Sequence, residues 1–90
     1  MAWQIEIDKD VQRSMRKLDK QIAKRIVAKL REIAQLEDPR SMGKGLTENK
    51  SGLWRYRVGD YRIVADIEDD VLVILVVDVA HRSRVYRTKR

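Results

Sequence analysis

The first residues of the chain, Trp3 to Ile7, alternate between apolar and polar side chains. A period of two predicts a strand with one buried face. After Asp8, which is placed to cap a helix, apolar residues recur at intervals of three and four. This spacing predicts two amphipathic helices, one before and one after Asp19, with Pro39 ending the second helix.

Two β-rich segments follow a predicted loop at residues 40–52, which is rich in glycine, serine and asparagine. The dipeptide Gly59-Asp60 between these segments is typical of a two-residue hairpin turn. Such a turn pairs Val58 with Tyr61 and Arg57 with Arg62. The turn therefore fixes which residues of the two strands face each other.

The side chains of this predicted hairpin divide into an apolar and a basic face. The apolar face is suited to the core and comprises Trp54, Tyr56, Val58, Tyr61, Ile63, Ala65 and Ile67. The basic face carries Arg55, Arg57 and Arg62. Like charges directly opposed on a sheet are destabilising. These arginines are therefore either solvated, with Asp66 and Glu68 as partners further along the strand, or held in place to bind an anion.

The last third of the chain contains an acidic turn and then the uninterrupted apolar run Val71–Val77. An apolar residue at every position predicts an internal strand covered on both faces. Residues 80–84 are predicted to form a basic loop, and residues 85–88 are predicted to form a short final strand or tail. The order of one strand, two helices and about four strands predicts an α+β fold in a single domain, residues 1–90. In this fold a helical hairpin packs on one face of a mainly antiparallel sheet.

The 90-residue chain has 20 lysines and arginines against 14 acidic residues, which gives a net charge of +6 and an isoelectric point near 9.9. This balance predicts a polyanionic partner and leaves nucleic acid, an acidic protein and an anionic membrane surface open. The chain has no cysteine and no histidine–carboxylate spacing that suits a metal, so no cofactor and no metal catalysis are expected. The N-terminus resembles no signal sequence and no segment is long and apolar enough to span a membrane, which predicts a soluble, cytoplasmic protein.

Guanidinium groups bind phosphates through two hydrogen bonds, and a cluster of them can stabilise the dianionic transition state of RNA cleavage without a metal. The residues that are expected to join the arginine hairpin from the predicted basic loop and tail are His81, Arg82, Arg84 and Tyr86. Histidine is the side chain that titrates near neutral pH, and a tyrosine can stack on a base or transfer a proton.

Other positively charged positions are candidates for contacts with a phosphate backbone, with ordinary solvation as the alternative. On the predicted helices these are Arg13, Arg16, Lys17, Lys20, Lys24, Arg25, Lys29 and Arg31, and in the predicted loop they are Lys44 and Lys50.

The segment LWRYRVGDYRIV at residues 53–64, together with HRSRVY at residues 81–86, resembles the signature of RelE-type toxins of the RelE/ParE toxin–antitoxin superfamily. The length and the order of elements are also similar, so the resemblance covers nearly the whole chain. It implies a RelE-like microbial RNase fold and a ribosome-dependent endoribonuclease that cuts mRNA in the A site. In that reaction the ribose 2′-hydroxyl attacks the adjacent phosphate without a metal. The implied partners are a RelB-like antitoxin, mRNA and the ribosome with its 16S rRNA, and no membrane.

The resemblance also implies roles for individual residues. Arg55 and Arg57 stand where the family has basic strand residues that bind phosphate and assist proton transfer. Arg62 stands at the phosphate-stabilising arginine, Arg82 at the basic residue of the following loop, and Tyr86 at the tyrosine near the scissile nucleotides. Further contacts with RNA or the ribosome are expected from Arg84, Lys44, Lys50, Arg87 and Lys89.

Proton transfer is where this sequence departs from the family pattern. Two of the family's basic positions can be lysines, which lose a proton more readily than arginine, whereas this chain has Arg55 and Arg57. His81 and Tyr86 are therefore the better candidates for moving a proton.

Two other functions remain open. The ParE branch of the superfamily shares the fold and much of the hairpin pattern but is associated with poisoning DNA gyrase. A non-catalytic module that grips an acidic antitoxin or a nucleic acid would also use a basic sheet face. The set of four arginines and one tyrosine favours RNA cleavage over both alternatives.

Overall fold

The computed structural model describes residues 3–45 and 53–83. In chain order the elements are β1 (Gln4–Ile7), α1 (Lys9–Arg16), α2 (Lys20–Ala34), a 3₁₀ turn (Pro39–Ser41), β2 (Lys44–Gly45), β3 (Leu53–Val58), β4 (Tyr61–Glu68) and β5 (Val73–His81). The strands form one sheet in the order β1-β5-β4-β3-β2, with β1 parallel to β5 and the remaining pairs antiparallel. The predicted α+β class and the mainly antiparallel sheet are confirmed.

Both helices begin at the aspartates that the sequence indicated. The Asp8 carboxylate accepts a hydrogen bond from the Asp10 N–H at 3.0 Å, and Asp19 accepts one from the Gln21 N–H at 3.2 Å. A cap of this kind contributes about 1 kcal/mol because it satisfies an N–H group that has no partner within the helix. The amphipathic pattern of α2 also holds, since its buried residues are Ile26, Leu30, Ile33 and Ala34.

The predicted end of α2 at Pro39 is wrong. The helix ends at Ala34, and Pro39 instead begins the 3₁₀ turn, where the Asp38 carboxylate accepts from the Arg40 N–H at 3.0 Å. Proline suits a first helical position because it has no N–H to satisfy and its φ is already helical.

The hairpin between β3 and β4 has the predicted register. Val58 pairs with Tyr61 and Arg57 pairs with Arg62 across the turn. Gly59 has a φ of +57°, a left-handed conformation that glycine adopts without steric cost. A two-residue turn of this type leaves no freedom in the pairing.

The predicted loop at residues 40–52 contains a strand that the sequence did not indicate. In β2, Lys44 pairs with Arg55 and Gly45 pairs with Trp54. Gly43, directly before β2, has a φ of +75°, and a Cβ atom there would overlap the carbonyl oxygen of Arg55. Only glycine therefore allows the chain to approach β3 this closely.

β5 differs from the predicted strand Val71–Val77. Val71 and Leu72 lie in the preceding turn and are 59% and 39% exposed, whereas the strand continues to His81. β5 is internal, as predicted, because it lies between β1 and β4. The predicted basic loop at residues 80–84 consequently starts later than expected.

The pairing of β4 with β5 contains a bulge that decides which face the end of β5 presents. Ala65 pairs with Val76 but the neighbouring Val64 pairs with Asp78, so Val77 is an extra residue on β5. Directly paired residues share a face, and a bulge reverses the alternation beyond it. His81, which pairs with Tyr61, therefore lies on the same face as Tyr61.

The core lies between the helices and one face of the sheet, which we call the helix face. Its fully buried side chains include Ile26, Ile33, Ile63, Ile74 and Val76. The opposite face, which carries Arg55, Arg57 and Arg62, is the arginine face. Neither described helix is long and apolar enough to cross a membrane.

Candidate functional site

The three arginines of the hairpin share the arginine face, as predicted. They alternate with side chains that are buried on the helix face, such as Tyr56 and Ile63, which are 2% and 0% exposed. Arg57 is exposed, and Arg55 and Arg62 are partly exposed. The hairpin register places Arg57 directly opposite Arg62, so two positive charges face each other across neighbouring strands.

Lys44 adds a fourth positive charge to this face. It pairs with Arg55 across β2 and β3, and directly paired side chains lie on the same side of a sheet. A cleft of about 340 Å³ is lined by Gly43, Lys44, Arg55, Tyr56 and Arg57. The sequence suggested Lys44 as an RNA-binding residue only from its charge. The pairing of β2 with β3 shows that Lys44 lies on the arginine face, next to Arg55.

Arg82 joins the arginine face at the hairpin turn. Its backbone N–H donates to the Asp60 carbonyl oxygen at 2.8 Å, which ties the residue after β5 to the turn. Its guanidinium Nη1 lies 4.0 Å from Asp60 Oδ1, and both side chains are 68% exposed, so this ion pair is weak. A cleft of about 200 Å³ between these groups is lined by Arg57, Gly59, Asp60, Tyr61, Arg62 and Arg82. We call it the arginine cleft.

Carboxylates do not neutralise the hairpin arginines in the part of the chain that the structure describes. Asp66 and Glu68 lie on the same face but further along β4, where Asp66 pairs with Leu53 and Leu75. Within residues 3–45 and 53–83, neither carboxylate forms an ion pair with an arginine of the hairpin. The described residues therefore do not show the ion pairs with these two acids that the solvated alternative predicted.

The side of β3 behind the arginines is held in place by hydrogen bonds to the 3₁₀ turn. The buried Tyr56 hydroxyl donates to the Pro39 carbonyl oxygen at 2.8 Å, and Trp54 Nε1 donates to the Met42 carbonyl oxygen at 2.6 Å. Burial raises the pKa of Tyr56 to about 12. Arg40 then links the turn to Asp69 through two hydrogen bonds of 3.1 and 2.8 Å, which hold the pKa of the Asp69 carboxyl below its usual value. Arg55 and Arg57 are thus carried by a well-anchored strand.

His81 does not join the arginines, contrary to the expectation from the sequence. The bulge in β5 turns it to the helix face, where its ring meets that of Tyr61 edge to face, with centroids 5.2 Å apart and planes at 85°. Its Nδ1 lies 2.9 Å from Ser83 Oγ and accepts from the Ser83 N–H at 3.2 Å. A direct role for His81 at a phosphate in the arginine cleft has no geometric support.

Five of the predicted site residues lie outside the described residues, and their roles stay predictions. They are Lys50, Arg84, Tyr86, Arg87 and Lys89. Within residues 3–45 and 53–83, no group of three or more His, Asp or Glu side chains is placed to hold a metal ion.

Comparison with known proteins places this arrangement in a family. Residues 5–86 match the family model for the ParE toxin of type II toxin–antitoxin systems. The chain is 38% identical over 52 residues to Toxin RelE of Mycobacterium tuberculosis, and this match spans 58% of the chain but only 54% of the relative. The chain thus aligns with about half the length of that curated relative.

Solved structures of RelE toxins have the same fold. The toxin–antitoxin complex RelBE2 of M. tuberculosis matches with a TM-score of 0.81 at 23% identity, over 92% of this chain and 94% of that chain. A mutant of the E. coli toxin RelE in the free state matches with a TM-score of 0.77 at 25% identity, over 97% and 93%. The sheet and helices of this chain therefore have the fold of these toxins. By its family model, the chain belongs to the ParE toxin family of type II toxin–antitoxin systems.

Proposed function

We propose that this toxin is a ribosome-dependent endoribonuclease that cuts mRNA in the A site. The observation that carries the proposal is the arginine cleft, where Arg57, Arg62 and Arg82 converge with no carboxylate but Asp60 among the described lining residues. Its volume of about 200 Å³ is ample for a phosphate group. Three guanidiniums around a small cleft fit an oxyanion better than they fit an apolar ligand.

The proposed reaction forms one bond to phosphorus and breaks another. The 2′-oxygen attacks the adjacent phosphorus, its proton passes to a base, and the bond from phosphorus to the 5′-oxygen breaks as that oxygen gains a proton. The products are a 2′,3′-cyclic phosphate and a 5′-hydroxyl. Charge on the non-bridging oxygens increases in the transition state, and cations already in place stabilise it without reorganisation. In this scheme Arg57 and Arg62 bind these oxygens, and Arg82, whose backbone N–H donates to the Asp60 carbonyl oxygen, adds a third positive charge to the cleft.

The remaining residues of the arginine face have supporting roles in this proposal. Lys44 and Arg55 line the neighbouring cleft and bind a flanking phosphate of the same strand. Proton transfer falls to Tyr86 or to groups of the ribosome, because His81 lies on the helix face. Guanidiniums remain protonated at physiological pH, so the arginines contribute charge rather than protons.

A RelB-like antitoxin is the proposed protein partner. Support comes from the match to RelBE2, which is a toxin–antitoxin complex, and from the net charge of +6. An acidic or amphipathic antitoxin segment would complement this charge, and the complex should weaken as salt rises. With ribosomes and antitoxin as partners, the site of action is the cytoplasm, and residues 1–90 act as one domain.

Poisoning of DNA gyrase is the second candidate function, and the observation that favours it is the match to the ParE family model. One experiment separates the two functions. Purified toxin is added to translating ribosomes, and primer extension maps the message, while a parallel reaction contains gyrase and plasmid DNA. Cuts within A-site codons support the nuclease. An intact message with gyrase-dependent DNA breaks supports the ParE activity, and no effect in either reaction leaves only a binding module.

A further inference from the structure

A second cleft lies on the helix side of the hairpin turn, opposite the arginine cleft. It has a volume of about 340 Å³ and is lined by Ile22, Arg25, Val58, Gly59, Asp60, Tyr61 and His81. Gly59, Asp60 and Tyr61 line both clefts, so the two sites lie on either side of one two-residue turn. We call it the turn cleft.

The turn cleft contains two aromatic rings that are partly exposed. Tyr61 and His81 pair across β4 and β5, and their rings are nearly perpendicular at a centroid separation of 5.2 Å. Every nucleobase presents a π-face, and stacking on an aromatic side chain binds it without sequence preference. The rings of Tyr61 and His81 therefore give the turn cleft a surface that suits a base.

Arg25 supplies the positive charge of the turn cleft. It lies on α2 and is exposed, and its guanidinium rests on the hairpin turn, since a Cβ atom on Gly59 would lie 3.6 Å from Arg25 Nη2. Within the described residues Arg25 forms no ion pair, whereas Lys29, one turn further along α2, pairs with Glu32 at 3.5 Å. A guanidinium without a carboxylate partner at the edge of a cleft is suited to a phosphate.

The acidic residue of the turn cleft is Asp60, which forms only a weak ion pair with Arg82. Asp60 Oδ1 lies 4.0 Å from Arg82 Nη1, and Arg82 lines the arginine cleft. Arg57 and Arg25 also line a further cleft together, with Lys29 and Glu32, whose opposite charges pair with each other. Arginine side chains therefore line the clefts on both sides of the turn.

We propose that the turn cleft binds one nucleotide of the RNA strand that flanks the scissile phosphate. Arg25 binds its phosphate, and its base stacks on the face of one of the two perpendicular rings and meets the edge of the other. This inference rests on the proposed function, because the same strand must place its scissile phosphate in the arginine cleft. It gives His81 a role in binding RNA and none in proton transfer.

The test is an NMR titration of the whole chain with a 2′-O-methyl RNA hexamer, which cannot be cleaved because it lacks the attacking hydroxyl. The chain has one histidine, so the Cε1–H signal of His81 is unique. We expect this signal and the Nε–H signals of Arg57 and Arg62 to shift with one common dissociation constant. A hexamer with an abasic site at the flanking position should shift the arginine signals and leave the His81 signal in place.

Two substitutions on α2 provide a matched comparison. Arg25→Ala should weaken hexamer binding by about fivefold or more and reduce the slope of log affinity against log salt by about 1. Lys24 was a candidate for a phosphate contact by its charge alone, but it is exposed and lines none of the clefts described above. Lys24→Ala therefore removes the same charge and should change the affinity by less than about twofold. Arg25→Lys, which keeps the charge, should recover part of the loss.

The outcomes separate this inference from the proposed function. If the hexamer shifts Arg57 and Arg62 but not His81, or if Arg25→Ala equals Lys24→Ala, the turn cleft is not a nucleotide site and the nuclease proposal stands. If only an antitoxin peptide shifts His81, the cleft binds protein and the inference is wrong. Failure of the message-cleavage experiment, with the expected His81 shift intact, refutes the nuclease and leaves the nucleotide site.

Discussion

Arg57 and Arg62 face each other directly across the β3–β4 hairpin, and in the described residues neither has an ion-pair partner. Directly opposed like charges destabilise a sheet. The hairpin therefore carries an electrostatic cost that a bound anion would relieve. This pair gives the most direct route to testing the site.

Replacing Arg62 separates function from stability. We expect Arg62→Ala to lower single-turnover cleavage on programmed ribosomes by about a hundredfold or more, the scale for removing one stabiliser of a developing charge. The free energy of unfolding should stay equal or rise slightly, because one of two opposed charges is lost. Arg13→Ala on α1, which also removes an exposed arginine, serves as the control. Cleavage within about threefold of the parent protein would show that Arg62 has no role at the phosphate.

A substitution of Lys44 tests whether the RNA-binding surface extends from the arginines of the hairpin to β2. Because Lys44 pairs with Arg55, Lys44→Ala should weaken RNA binding at low salt and lower the salt slope by about 1, with little change in the cleavage rate at saturation. Lys9→Ala, at an exposed lysine that begins α1, is the control. Equal affinities of the two variants across a salt series would remove Lys44 from the RNA interface.

The hydroxyl of Tyr56 anchors the strand that carries Arg55 and Arg57. Tyr56→Phe should lower the free energy of unfolding by about 0.5–1.5 kcal/mol, because the Pro39 carbonyl loses its donor. A pH effect should accompany it, since burial raises the pKa of Tyr56 to about 12 from an unfolded value of about 10. The protonated Tyr56 hydroxyl contributes fully to the free energy of unfolding below about pH 10. This contribution is lost as the pH rises towards 12, because the unfolded chain releases the proton more readily. Urea unfolding of both proteins from pH 9 to 12 should show the parent losing more stability, and a constant difference between them would contradict the assignment.

The position of His81 indicates that cleavage does not need its imidazole. Because the ring lies on the helix face, His81→Gln should keep the cleavage rate at saturating toxin within about threefold. His81→Phe, which keeps an aromatic ring, should retain RNA affinity better than His81→Gln. A hundredfold loss of rate in His81→Gln would restore histidine to the proton-transfer step.

The sequence predicted the parts of this site that depend on local rules. A Gly-Asp turn fixes the hairpin pairing, so the opposition of Arg57 and Arg62 follows from the residues between them. The strand β2 was missed because two residues cannot show a period, and only their pairing with β3 defines them. The sequence did not predict that His81 lies on the helix face. An uninterrupted apolar run has no alternation that would identify Val77 as an extra residue, and one inserted residue reverses the face of every side chain that follows.

In the proposed reaction, the arginine face positions an mRNA phosphate for attack by the 2′-hydroxyl of the adjacent ribose. A decisive test uses ribosomes programmed with messages that carry one 2′-deoxynucleotide at each A-site position in turn. We expect cleavage of the all-ribose message to a 2′,3′-cyclic phosphate and a 5′-hydroxyl, and no cleavage at the bond that follows the deoxynucleotide. Cleavage at that bond at the parent rate, or an all-ribose message that stays intact on ribosomes with an empty A site, would contradict the proposed reaction.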